Sequence, residues 1–147
     1  MKVYCPAKGK RKLLENVNDE AFAQKMMGDG IAVIPLSGEV FSPVDGEVTM
    51  LFPTKHAIGL KSDDGIEVLV HIGIDTVELN GEGFSSYVKQ GDKVEVGSPL
   101  LSFDLNKVSA QYETDIMIII TNTSAYKNIY QTEIENLSVM DELLDIE

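Results

Sequence analysis

The sequence predicts an all-β fold, a compact antiparallel β-sandwich or flattened barrel with short helical turns, on three observations. Turn signals recur every few residues: Gly28-Asp29-Gly30, Ser37-Gly38, Asp45-Gly46, Asp63-Asp64-Gly65, Asn80-Gly81-Glu82-Gly83, Gly91-Asp92 and Gly97-Ser98. The runs between them are short and rich in Val, Ile, Leu and Phe. No helical periodicity persists long enough to define the fold. Short strands cut by Gly and Asp turns must bury one face against another sheet, which is the sandwich or barrel solution.

In chain order, Lys8, Lys10, Arg11 and Lys12 form a basic run that reads as a solvated arm. Residues 19–27 have brief helical character, with Asp19 as N-cap because a carboxylate there can accept from the free amides of the first turn. Strands are expected at 31–35, 47–52, 57–61, 66–72, 93–96, 100–103 and 116–122, with a second short helix over 105–111 after Asp104. Gly-Glu-Val occurs at 38–40 and 46–48 and marks adjacent strand starts rather than a solenoid repeat. In the tail, Ile134, Leu137, Val139, Met140, Leu143 and Leu144 could line a helix, while 143–146 could close the sheet; the strand is the preferred reading.

At 147 residues, 44% hydrophobic and 24% charged, the chain is expected to form one domain over 1–147. A net charge of -12 argues against nucleic acid or an anionic membrane as partner and favours a basic protein. The lone cysteine, Cys5, excludes an intrachain disulfide and suits a reducing compartment. No apolar run approaches the ~20 residues that span a bilayer, and no secretory signal is evident, so a cytoplasmic location is expected.

The two histidines, His56 and His71, are the groups best suited to chemistry. Around His71 the sequence alternates with period two. Ile66, Val68, Val70 and Ile72 share one face, so Glu67, Leu69 and His71 share the other, and His71 is expected to point outward beside an exposed Leu69. Thr54 lies two residues before His56 and, on a strand, would project from the same face within reach of its ring. A turn at 63–65 would pair positions whose numbers sum to 127 or 128, which brings His56 close to His71.

Two imidazoles are one or two ligands short of a zinc site. Asp75 lies four strand residues on, about 13 Å away if the strand continues. No complete metal site is expected within the chain, although a partner's carboxylate could complete a zinc site with His56 and His71. For phosphoryl transfer the pair suffices: one neutral imidazole attacks phosphorus and the other hydrogen-bonds the phosphoryl oxygens.

The segment Phe52-Pro53-Thr54-Lys55-His56-Ala57 and the run Val68-Leu69-Val70-His71-Ile72-Gly73-Ile74-Asp75-Thr76-Val77-Glu78-Leu79-Asn80-Gly81-Glu82-Gly83-Phe84 resemble the signature of glucose-type enzyme IIA (EIIA) domains of the bacterial phosphoenolpyruvate-dependent sugar phosphotransferase system. The resemblance takes in 22–30, 42–46 and 91–97, covers roughly residues 19–105, and fades beyond, where Tyr126, Tyr130 and the acidic 141–147 replace the family's glycine-punctuated final strand. It implies a phosphoryl carrier with no cofactor beyond a transient phosphohistidine. His71 would be the acceptor through Nε2, with Nδ1 held by the carbonyl of Gly73; His56 would support the phosphoryl group and Thr54 would orient His56.

The implied partners are HPr and the IIB domain of a sugar permease, with regulated transporters or kinases as further candidates. The implied docking surface comprises Phe22, Met26, Met27, Phe52, Leu69 and Val77, rimmed by Asp19 and Asp75. Met26 and Met27 suit a surface that accepts differently shaped partners, because an unbranched thioether repacks at little cost. The chain also starts almost directly with the domain.

Three rival readings stand beside this one. Residues 43–48 and 91–97 also resemble biotinyl and lipoyl barrels, but no lysine is displayed at a hairpin tip. A lysostaphin-like zinc peptidase needs more than two histidines. A regulatory module that signals through its phosphorylation state is compatible with phosphoryl transfer and could coexist with it.

Overall fold

The computed structural model describes residues 1–147, and its strands fall largely on the apolar runs between the glycine and aspartate turns. The chain opens with β1 (Lys2–Tyr4), β2 (Gly9–Lys12), a 3-10 turn at Leu14–Asn16 and the helix α1 (Glu20–Ala23). Next come β3 (Asp29–Pro35), β4 (Glu39–Phe41), β5 (Gly46–Leu51), β6 (Ala57–Ser62) and β7 (Glu67–Ile72). After a 3-10 turn at Thr76–Leu79 follow β8 (Phe84–Ser86), β9 (Lys93–Val94), β10 (Pro99–Phe103), the helix α2 (Leu105–Ser109) and β11 (Ile116–Ile120). The tail supplies β12 (Ile129–Gln131), β13 (Asn136–Leu137) and β14 (Glu142–Ile146).

Every pairing is antiparallel. The large sheet runs β13-β2-β3-β11-β7-β6-β5-β9, with two three-stranded sheets, β1-β14-β12 and β4-β10-β8. The sheets stay open, so the sandwich reading holds and the barrel does not close. Between the sheets lies the main core, which includes Ile31, Val33, Ile58, Leu60, Val68, Val70, Ile116, Ile118, Leu101 and Leu144.

The large sheet is buried on its other face as well. The segment after β2 folds back over it, and Leu14, Val17 and Phe22 join Ala32, Ala57, Leu69, Ile74, Met117 and Ile119 in a second, smaller core. This explains β11, an unbroken Ile-Met-Ile-Ile-Ile run: its even-numbered residues face the main core, its odd-numbered ones the smaller core, and all five are buried. A strand covered on both faces loses the apolar and polar alternation of a half-exposed one.

Several expectations need correction. Leu69 is not exposed: at 8% accessibility it belongs to the second core, because the 14–23 segment covers a face that strand periodicity alone leaves bare. The basic run is not an arm, since 9–12 form β2, paired with β3, and Arg11 and Lys12 bond Glu135 and Asp115. Gly28-Asp29-Gly30 is not a turn, because Asp29 and Gly30 begin β3; a Cβ on Gly30 would come within 1.9 Å of the Ile118 carbonyl oxygen, so only glycine fits against β11 there.

The helices have the expected caps but stop early. Asp19 accepts from Ala21 N at 2.9 Å and Asp104 from Lys107 N at 3.1 Å. α1 ends at Ala23, just before Lys25 turns left-handed. Beyond residue 105, where the resemblance fades, the chain still supplies the central strand β11 and then β14, which pairs with β1 and β12.

Candidate functional site

His71 lies near the end of β7, directly opposite Ala57 on β6 and Met117 on β11. Alanine on one side leaves room, and that room is taken by His56. His56 is not in a strand: 54–56 form a turn in which Lys55 adopts φ 59°, and Lys55 N donates to the Phe52 carbonyl at 2.8 Å. Ile72 N donates to the His56 carbonyl at 2.7 Å, so the pairing sum is 128 and His56 faces Ile72 rather than His71. On a regular strand that one-residue offset would send its ring to the opposite face. The left-handed residue before it turns the ring back, and the two imidazoles meet edge to face with centroids 5.0 Å apart and planes at 84°.

Thr54 Oγ1 and His56 Nδ1 are 2.5 Å apart in a hydrogen bond. The turn therefore achieves what a strand was expected to achieve, by a different backbone path. Phe52 stands edge-on to His56 at 5.6 Å. Phe22 tilts against His71 at 5.0 Å and is only 4% exposed, so it walls the acceptor ring from within the second core instead of offering a free docking surface.

The chain reverses sharply after His71. Gly73 adopts φ +78°, where a Cβ would meet Thr76 Cγ2 at 2.4 Å and the Glu113 carbonyl oxygen at 2.9 Å. Thr76 Oγ1 donates to the Ile72 carbonyl and braces the turn from within. Nδ1 of His71 is buried and makes no aligned hydrogen bond, although the Gly73 backbone lies close enough to favour a proton on the ring. Asp75 does not continue the strand; it is exposed, at φ 61°, and heads the Thr76–Leu79 turn.

Both rings are held neutral. Burial pushes His71 down to about 4, the neighbouring His56 adds to the fall, and the Gly73 backbone and the Asp19 carboxylate oppose it. Burial also lowers His56. A neutral imidazole keeps the lone pair that a nucleophile needs.

Met26 is 72% exposed and Met27 and Val77 are also open to solvent, while Phe52, edge-on to His56, is half-buried. Phe52 and Leu69 line a shallow groove of about 290 Å³ with Thr49, Met50 and Gly59. A hollow of about 380 Å³ on the β4-β10-β8 sheet, lined by Glu39, Val40, Phe41, Tyr87, Pro99 and Leu101, contains neither histidine. No group of three or more His, Cys, Asp or Glu side chains is placed to hold a metal ion. Of the expected site residues, His56, His71, Thr54, Phe52 and Gly73 gather at one place, whereas Phe22 and Leu69 are core walls of it. Sequence reasoning missed Met117, which needs the β7–β11 register to be seen, and the ion pair between Lys12 and Asp115, whose members are 103 residues apart.

A family model described as the phosphoenolpyruvate-dependent sugar phosphotransferase system, EIIA 1, matches residues 1–126. The chain is 45% identical over 136 residues to a Staphylococcus epidermidis RP62A protein named PTS system glucose-specific EIIA component, covering 92% of this chain and 82% of that one. It is 52% identical over 131 residues to the Staphylococcus aureus MRSA252 protein of the same name, covering 87% and 79%. The solved structure of glucose permease IIA from Mycoplasma capricolum matches with a TM-score of 0.89 at 36% identity, over 98% of this chain and 94% of that one. This chain therefore belongs to the EIIA 1 family and is an EIIA component of the phosphoenolpyruvate-dependent sugar phosphotransferase system.

Proposed function

We propose that this chain accepts a phosphoryl group from phospho-HPr on His71 Nε2 and passes it to the IIB domain of a sugar permease, in the cytoplasm. The observation that carries this reading is the facing pair of imidazoles, one fixed by Thr54 and both held neutral by burial. Glucose is the sugar suggested by the names of the relatives.

On uptake, the Nε2 lone pair of His71 forms the new P–N bond as the bond from phosphorus to the donor nitrogen breaks. The proton stays on Nδ1, facing the Gly73 carbonyl. When the Thr54 hydroxyl donates to His56 Nδ1, the proton of His56 lies on Nε2 and can be donated to the phosphoryl oxygens. Discharge reverses these bonds toward the IIB nucleophile, and no water is consumed. The buried His56 ring, the part-buried His71 ring and Phe22 limit access of water to the phosphoimidazole. Met26, Met27, Phe52 and Val77 form the docking rim, and Asp19 and Asp75 its acidic edge.

Single-turnover transfer tests the division of labour. His56→Ala is expected to accept phosphate but to discharge to IIB more slowly by the equivalent of about 3 to 4 kcal/mol, the cost of losing one preorganised donor. His56→Gln, which keeps an N–H donor, should still be phosphorylated. Discharge of His56→Ala at the wild-type rate would reduce His56 to a structural residue.

A further inference from the structure

The basic run near the N-terminus contains one residue that reaches toward the site. Lys12 ends β2 in a transverse row that crosses the sheet through Ala32 and Met117 to His71. Its ammonium meets the Asp115 carboxylate at 2.7 Å, with side-chain exposures of 22% and 10%. A carboxylate in such a place is held by its partner, because removing one ion strands the other as an uncompensated buried charge. Lys12 is not placed to bind phosphate itself: three strand spacings put its Cα about 14 Å from that of His71, and its ammonium is already engaged.

The main chain beside that carboxylate supports the turn that follows His71. Gly73 N donates to the Asp115 carbonyl at 2.8 Å, and Ile74 N to the Glu113 carbonyl at 2.9 Å. These two bonds fix the peptide planes on either side of the left-handed Gly73, whose backbone acts on the His71 ring, where Nδ1 is buried without an aligned partner. A shift of the 113–115 segment would therefore move the Gly73 backbone relative to that nitrogen. Which nitrogen carries the proton decides which one can attack.

We infer that Lys12 and Asp115 are positioning residues for His71: their ion pair pins the 113–115 segment, that segment sets the Gly73 turn, and the turn selects the tautomer that leaves Nε2 free. This rests on the reading of His71 as the phosphoryl acceptor. Loss of the pair lets the Asp115 carboxylate swing toward water and drags the Gly73 and Ile74 bonds with it. The proton on His71 is then shared between the two nitrogens, and the fraction of rings ready to attack falls.

The test records the ring ¹⁵N signals of His71 and His56 in the wild type, Lys12→Met, Asp115→Ala and Lys12→Arg, alongside phosphoryl uptake from phospho-HPr. In Lys12→Met and Asp115→Ala the His71 signals should move toward a mixture of tautomers, while His56, held by Thr54, keeps its own. Uptake should fall by about threefold to tenfold, the scale of a small misplacement of a reacting group. Lys12→Arg, which can still pair with the carboxylate, should restore both readouts. Unchanged His71 signals in Lys12→Met overturn the inference whether or not uptake falls. If Lys12→Met does not fold, Asp115→Asn serves instead, with a shifted His71 signal expected and an unshifted one decisive against. A wild-type chain carrying no phosphate on His71 would sink the acceptor reading while leaving the ring-signal test intact.

Discussion

Replacing His71 by glutamine should change how stability depends on pH, in a direction and by an amount set by the burial of the ring. In the folded chain His71 is pushed from 6.5 down to about 4, first by burial and then by His56. Between those values the unfolded chain binds a proton that the folded chain refuses, so stability falls as pH drops from 6.5 toward 4 and levels off below. At about 1.4 kcal/mol per tenfold in proton affinity, the loss amounts to about 3 kcal/mol by pH 4. His71→Gln has no such proton to refuse. Carboxylates titrate alike in the two proteins, so the difference between them isolates the histidine. Urea unfolding at pH 7, 6, 5 and 4 should show the stability of the wild type relative to His71→Gln declining by about 3 kcal/mol across the series. Parallel curves would refute the claim that His71 is buried neutral and remove the basis for its nucleophilicity.

Other substitutions probe the parts around it. Gly73→Ala places a Cβ against Thr76 and the Glu113 carbonyl at a left-handed position, and thermal unfolding should show a loss of about 1 to 3 kcal/mol together with slower phosphoryl uptake. Thr54→Val frees the His56 ring, and single-turnover discharge should slow, but less than in His56→Ala. Met26→Asp puts a charge into a surface that desolvates on docking, so titration with HPr should show weaker binding than any single change at Asp19 or Asp75 produces. With a net charge of -12, association with a basic partner should slow as salt rises, measured by stopped flow; a rate indifferent to salt would count against the acidic edge.

The strands and the histidine pair were legible because they depend on local signals. Turn residues bound each strand, and alternation around 66–72 identifies the core stripe Ile66, Val68, Val70 and Ile72, all of which are buried in the main core. The N-caps Asp19 and Asp104 follow from side-chain chemistry alone. Burial of Leu69 and Phe22 was hidden because it depends on a distant segment folding over the sheet, and periodicity says only which residues share a face. Lys12 read as solvated because its partner, Asp115, lies 103 residues away in the loop just before β11. His56 illustrates a subtler failure: the pairing sum brought it near His71, but its approach depends on the left-handed Lys55, which no strand pattern anticipates.

The most direct test of the account is to locate the phosphate. The chain incubated with phosphoenolpyruvate, enzyme I and HPr should take up one acid-labile, base-stable phosphoryl group, found by ³¹P and ¹⁵N spectroscopy on Nε2 of His71. His71→Ala should take up none. Phosphate on His56 in the wild type, or undiminished uptake by His71→Ala, would contradict the assignment of His71 as the acceptor and of His56 as its support.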